Sequence, residues 1–301
     1  DAQTTNDTTP TITGTATLAS GETLSVTVNG ATYDNVTVSG GTWSIDTGVA
    51  AVSSGTLGAF VDATSYEVVA TVTDAGSNTT TDGSSNEITI DTSVPAVTPT
   101  VDAQTTNDTT PTITGTATLA SGETLSVTVN GATYDNVTVS GGTWSVDTGT
   151  ATVDSGTLGA FTDGTSYSVD ATVTDAGSNT TSDATNNEIT IDTSAPAVTP
   201  TVDAQTTNDT TPTITGTATL ASGETLSVTV NGATYDNVTV SGGTWSVDTG
   251  VDTVDSGTLG AFVDATSYEV VATVTDAGSN TTVDGSSNEI TIDTSVPAVT
   301  P

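Results

Sequence analysis

The chain has 301 residues, with 36 acidic side chains, no Lys, Arg, His, Cys or Met, and a formal net charge of -36 at pH 7. These absences exclude a Ser–His–Asp triad, thiolate and Schiff-base nucleophiles and zinc fingers, so no enzyme is expected. Without a basic side chain it cannot make the phosphate contacts that dominate nucleic-acid affinity, anionic membranes repel it, and no apolar run approaches the ~18–20 residues of a membrane span.

DAQTTNDTTPTITGTATLASGETLSVTVNGATYDNVTVSGGTWS begins at Asp1 and recurs unchanged from Asp102 and from Asp203, a period of 101 residues. That length suffices for one domain per period, each with its own core. The expected division is 1–93, 94–194 and 195–295, with 296–301 opening a further repeat and the first strand largely missing from the first. Any export signal is expected to lie outside this stretch.

Within a repeat the predicted strands follow in order. Residues 11–18 set Ile12, Gly14, Ala16 and Leu18 on one face and threonines on the other. Residues 23–28 alternate Leu24, Val26 and Val28 with Thr and Ser, and Asn29-Gly30 then signals a type I′ hairpin into 32–38. Residues 42–46 carry Trp43 and Ile45, 66–74 carry Tyr66, Val68, Ala70 and Val72, and 87–92 carry Ile88 and Ile90. Residues 95–102 supply the first strand of the next repeat. Period-two patterning with β-branched residues and no helical periodicity predicts an all-β chain. About seven strands per repeat predict tandem immunoglobulin-like Greek-key β-sandwiches, arranged as an elongated rod. Asp62, four residues before Tyr66, fits a tyrosine corner, and the spacing recurs at Asp163/Tyr167 and Asp264/Tyr268.

The run EITIDTSVPAVTPTVDAQTTNDTTPTITGTA, with VTDAGSN and GGTWS, resembles the bacterial Ig-like repeats in the extender regions of giant RTX and biofilm-associated surface adhesins. The likeness extends over each repeat, although the inter-sheet disulfide of antibody domains is absent and Trp43 falls on a different strand. It implies secretion to the bacterial cell surface, many tandem copies and calcium ions that stiffen the chain.

The charge points the same way, because no internal base offsets it and a bound cation is the remaining counter-charge. Sandwich topology brings acids from two neighbouring repeats to each junction. At the first, Asp91 and Asn6-Asp7 are expected to face Glu123, Asp175 and Asn179. At the second, Asp192 and Asn107-Asp108 are expected to face Glu224 and Asp276. Glu22 and Asp74 in the first repeat and Asp293 in the third complete the candidate ligands. An all-oxygen set suits Ca2+, which takes six to eight oxygens, better than Mg2+ or nitrogen- and sulfur-seeking metals. The competing reading is that these acids cap turns and solvate loops. Asp34-Asn35 and the Asp82 loop are expected to face water, the Thr rows to be solvent-side strand residues, and Trp43 and Tyr66 to be core.

The function expected is that of a spacer in a calcium-dependent adhesin, a monomeric rod whose partners are calcium and its own neighbouring repeats. The alternative is that the repeats bind directly, to a glycan, a host protein or one another.

Overall fold

The computed structural model describes residues 1–298, and among these every regular element is a β-strand. Of the segment read as opening a further repeat, residues 299–301 lie outside the described residues.

Ten strands make up the first repeat: β1 (Gln3–Thr5), β2 (Thr11–Thr15), β3 (Thr23–Val28), β4 (Ala31–Tyr33), β5 (Thr42–Asp46), β6 (Ser54–Gly55), β7 (Thr64–Tyr66), β8 (Val68–Thr73), β9 (Thr79–Thr81) and β10 (Ile88–Ile90). One sheet pairs β2 with β5, setting Ile12 opposite Ile45 and Gly14 opposite Trp43. The other strands run in the orders β1-β10-β7 and β6-β4-β3-β8-β9. The β7–β8 segment changes partner along its length, from β10 to β3. Ile12 and Ile45 from the first sheet close on Leu24, Val26, Val28, Ile88 and Ile90 from the others, and all are buried in one core. That is a β-sandwich. The third repeat builds the same core from Ile214, Val247, Leu226, Val228, Val230, Ile290 and Ile292. Each such burial is worth roughly 1.5–3 kcal/mol, and with no cysteine in the chain the cores do without disulfide support.

The Asn29-Gly30 turn has φ of 45° and 86°, as a type I′ hairpin requires. The predicted strand 66–74 divides at Glu67 between β7 and β8, strands β1, β6 and β9 have no predicted counterpart, and two further predicted strands differ from the observed ones. The segment 32–38 breaks after Tyr33, because Asn35 turns left-handed (φ 55°) and the Val36 N–H donates to the Leu24 carbonyl at 2.9 Å. In the second repeat the corresponding residues Val139–Ser140 pair instead with Thr143–Asp147. The segment 95–102 holds only β11 (Thr100–Val101), which pairs antiparallel with Thr112–Thr116; β12 (Gln104–Thr106) then runs parallel to Ile189–Ile191. Pro95 and Pro99 lack the N–H a longer ladder would need.

The chain folds as two compact units. One comprises Asp1–Asp102, Thr112–Leu158 and Val169–Asn186; the other comprises Ala103–Pro111, Gly159–Ser168 and the chain from Asn187 onward. The second repeat thus contributes strands to both, and the contacts below lie within one unit or the other.

Candidate functional site

The loop DAGSN folds itself. Asp175 opens it, and its carboxylate accepts the Asn179 backbone N–H at 2.8 Å and the Asn179 side-chain amide at 3.2 and 3.0 Å. The Asp175 N–H donates to the Asn179 carbonyl at 3.0 Å, and Ser178 turns left-handed (φ 66°). Short side chains that hydrogen-bond their own backbone are what such a turn uses.

So shaped, the loop meets the end of the preceding repeat. Asn179 Nδ2 donates to the Asp91 carbonyl at 2.8 Å. Asn6 donates its backbone N–H to the Gly177 carbonyl at 3.0 Å and its amide to the Ser178 carbonyl at 3.3 Å. Gly177 allows the approach: a Cβ there would stand 2.7 Å from the Asp91 carbonyl oxygen and 3.1 Å from its Cβ. Asn179 is only 7% exposed. The second unit repeats the arrangement. Asn280 Nδ2 donates to the Asp192 carbonyl at 2.7 Å and to the Asp276 carboxylate at 3.3 and 3.1 Å, and the Asn107 N–H reaches the Gly278 carbonyl at 3.0 Å. Thr282 adds a hydroxyl bond to the Pro196 carbonyl at 2.8 Å.

The other candidate acids turn to their own loops. Asp7 Oδ1 accepts from the Thr9 N–H and hydroxyl at 2.7 and 3.0 Å, and Asp108 does the same with Thr110 at 2.8 and 3.0 Å. Glu22, Glu123 and Glu224 each accept, at 2.7 Å, the N–H of the residue three before them: Ala19, Ala120 and Ala221. Asp91, Asp192 and Asp293 cap Ser93, Ser194 and Ser295 at 3.2, 3.2 and 3.1 Å. Asp74 accepts from Gly76 N–H and from both nitrogens of Asn78, and these bonds hold its carboxyl below the ordinary aspartate range, the Asn78 side chain contributing most.

Asp62, read from sequence as part of the corner, does something else. Tyr66 makes the corner by itself: its hydroxyl accepts the Val61 N–H at 2.8 Å and donates to the Ala59 carbonyl at 3.4 Å. The Asp62 carboxylate instead accepts the Thr92 N–H at 2.6 Å and the Ser93 hydroxyl at 3.0 Å, fastening the start of the inter-repeat segment. The Thr92 bond, then the Ser93 bond, lowers its pKa, and Asp163 and Asp264 are lowered in the same setting. A pairing of residues 30 apart leaves no local trace in sequence.

Among the described residues no three acidic side chains gather around one point suited to a metal ion. The donor chemistry of the junction nonetheless fits a hard cation. Asn179 Nδ2, an electropositive group, sits among the Asp91 carbonyl and both Asp175 carboxylate oxygens at 2.8–3.2 Å. A half-turn of that amide would add its own oxygen to the other three. Calcium accepts carbonyl, amide and carboxylate oxygens alike.

No family model matches the chain, and no curated protein sequence is significantly similar to it. Similar solved structures are tandem β-domains. The fibronectin(III)-like modules of Clostridium thermocellum CbhA are 11% identical, over 65% of this chain and 94% of that one, with a TM-score of 0.36. The chicken CNTN1 FN1–FN3 domains are 11% identical, over 91% of each chain, with a TM-score of 0.36. A tetra-tandem repeat from the extending region of a large adhesion protein is 21% identical, over 96% of this chain and 72% of that one, with a TM-score of 0.24. At these scores the likenesses bear on neither ligand nor partner.

Proposed function

We propose that this chain is an extender: a run of immunoglobulin-like modules divided near residues 94 and 195, belonging to a bacterial surface adhesin, that holds a distal binding domain away from the cell. The observation that carries the reading is the docking of the Asp175–Asn179 loop on Asp91, repeated at Asp276–Asn280 on Asp192 with hydrogen bonds of 2.8 and 2.7 Å. A spacer needs reproducible junctions, and the recurrence of the Asn179–Asp91 bond as Asn280–Asp192 one period later supports that reading. Cross-bracing by hydrogen bonds from a nearly buried amide restrains the linker without any enzymatic or recognition chemistry.

Calcium is part of the proposal. Asp175, the Asn179 amide oxygen and the Asp91 carbonyl would hold it at the first junction, and Asp276, Asn280 and the Asp192 carbonyl at the second. Bound there, each ion would offset two of the negative charges that 36 acids and no base leave unbalanced. Extracellular modules of this kind bind calcium at ~10⁻⁴–10⁻³ M, and at 100 times the dissociation constant one ion adds about 2.7 kcal/mol to a folded state that alone binds it. Small-angle scattering in ~10 mM calcium and in excess chelator tests both parts. An extended particle in calcium that loosens in chelator is the expected result. Equal, stiff profiles in both would discard calcium and keep the spacer. A flexible particle in both would discard the spacer.

A further inference from the structure

Along the three repeats, the loop that follows Asp46, Asp147 and Asp248 gains acids. Ala50 and Ala151 give way to Asp252, and Ser53 gives way to Asp154 and Asp255. The fold needs neither carboxylate. The Ser53 hydroxyl accepts the Asp34 N–H at 2.9 Å, just as Asp154 and Asp255 accept those of Asp135 and Asp236 at 2.8 and 2.7 Å. Ala50 and Ala151 donate their N–H to the Asp46 and Asp147 carbonyls at 2.9 and 2.8 Å, and Asp252 donates to Asp248 at 2.8 Å. A tyrosine beside this loop is common to all three repeats. Tyr33, Tyr134 and Tyr235 are each 3% exposed, and their hydroxyls are buried with no hydrogen-bond partner.

In the third repeat these groups surround a cavity of about 220 Å³, lined by Tyr235, Asp236, Val238, Val247, Asp252 and Asp255. Asp252 and Asp255 each hold a backbone N–H, of Asp248 and Asp236, on Oδ2 at 2.7 Å, which fixes both carboxylates in place. Burial raises the Tyr235 pKa, and the charges of Asp252 and Asp248 raise it further; at Tyr134 burial acts alone. Among the described residues no three acids converge on a point suited to a metal ion. The cavity is also far larger than the ~10–15 Å³ that one water needs. We propose that it binds a primary alkylammonium group, whose N–H donors are shared among the Tyr235 oxygen and the Asp236, Asp252 and Asp255 carboxylates while its alkyl stem lies along Val238 and Val247. An ammonium carries three donors and so suits acceptors spread around a cavity. The first repeat offers only Asp34 and Asp46 at the equivalent place, and the second lacks the counterpart of Asp252. A site confined to one repeat of three is nothing that uniform spacing requires. Because the carboxylates are solvated and the ligand is small, a dissociation constant on the order of 1–10 mM is expected.

The chain has six tyrosines, few enough to follow singly by NMR in the full 301 residues with 13C-labelled rings, assigned by Tyr→Phe variants. Butylammonium is titrated in ~0.15 M salt, which screens contacts to exposed acids elsewhere. The Tyr235 ring should shift saturably, and Tyr33 and Tyr134 should not. Asp252→Asn keeps an oxygen for the Asp248 N–H and removes the charge; it should weaken binding roughly tenfold. Ala151→Asp should bring Tyr134 into the response, a gain that no loss of folding can imitate. Diaminopentane and Nα-acetyl-lysine methylamide then separate the sources: tighter binding of the first points to a free polyamine, and of the second to a lysine of a partner protein, and either supports the inference. A Tyr235 shift as large with tetramethylammonium, which has no N–H, or with calcium alone overturns it. So does an equal shift at Tyr33, or a Tyr134 that stays indifferent after Ala151→Asp.

Discussion

The five residues DAGSN occur at 74–78 and again at 175–179, and the internal bonds of the two loops are nearly the same. Asp74 accepts the Asn78 N–H at 2.9 Å and its amide at 2.9 Å; Asp175 accepts the corresponding groups at 2.8 and 3.0–3.2 Å. What differs is the surroundings, for Asn78 is exposed while Asn179 is nearly buried and donates to Asp91. The loop is therefore shaped by its own sequence before it meets anything. Docking selects a ready conformation and pays little ordering entropy, which is how a small contact can hold a junction.

Substitutions at paired positions test that comparison. Gly177→Val should have the largest effect, since its Cβ would meet the Asp91 carbonyl oxygen; a loss of about 2–3 kcal/mol is expected. At Gly76 the nearest atoms are the flexible side chains of Asn78 and Asp74, 3.2 and 3.3 Å away, so Gly76→Val should cost well under half as much. Urea unfolding of the two variants gives the difference, and equal losses would mean that docking contributes nothing.

Asn179→Ala comes next. It strips a donor from the Asp91 carbonyl and the Asp175 carboxylate and should cost about 1–2 kcal/mol, against ~0.5 kcal/mol for exposed Asn78→Ala. Asn179→Asp sharpens the cation question. It sets a second carboxylate against Asp175, so it should be worse than Asn179→Ala in chelator and recover selectively as calcium is added. Thermal unfolding across a calcium titration reads this, and a variant indifferent to calcium would remove the ion from this junction.

Acid should release the linker with a smaller effect. The Asp62 carboxyl is lowered in the fold, chiefly by the Thr92 N–H, so its contribution is complete above the unfolded aspartate pKa of about 4 and disappears as pH falls through the lower folded value. Proteolysis between residues 92 and 99 should rise over that range, and Asp62→Asn should flatten the dependence. Least affected should be Glu123→Gln: its carboxylate caps only its own loop, so a change within ~0.5 kcal/mol is expected.

The sandwich was legible because the alternation of Ile12, Leu24, Val26, Val28, Ile88 and Ile90 with threonines reports which side of each strand is buried, and Asn29-Gly30 reports the hairpin. Where strands end was less so. Tyr33 and Asn35 read as one extended run until the left-handed turn at Asn35 is seen, and the passage from β11 to β12 runs through Asp102-Ala103, where no glycine or proline signals it. At the junction, loop order brought Asp175 and Asp91 to one pole, where the Asp91 carbonyl and not its carboxylate meets Asn179, whereas Asp7 and Glu123 face their own backbones. Charge counts acids and does not say which way they point. Gly177 could have been singled out, since a glycine between Asp and Asn in a loop marks a close approach.

One further consequence concerns force. In the first repeat β1 and β10 are parallel neighbours, joined by the Gln3 N–H to the Glu87 carbonyl at 2.7 Å and the Asp91 N–H to the Thr5 carbonyl at 2.9 Å. In the third repeat Gln205–Thr207 and Ile290–Ile292 are joined likewise, at 2.8 and 2.9 Å. Tension applied to the two ends of such a repeat pulls these strands past each other along their length. The rungs are loaded together in shear and yield together, unlike a hairpin, whose rungs unzip singly. A repeat pulled from its two ends would hold by that arrangement at forces that open a peeling geometry.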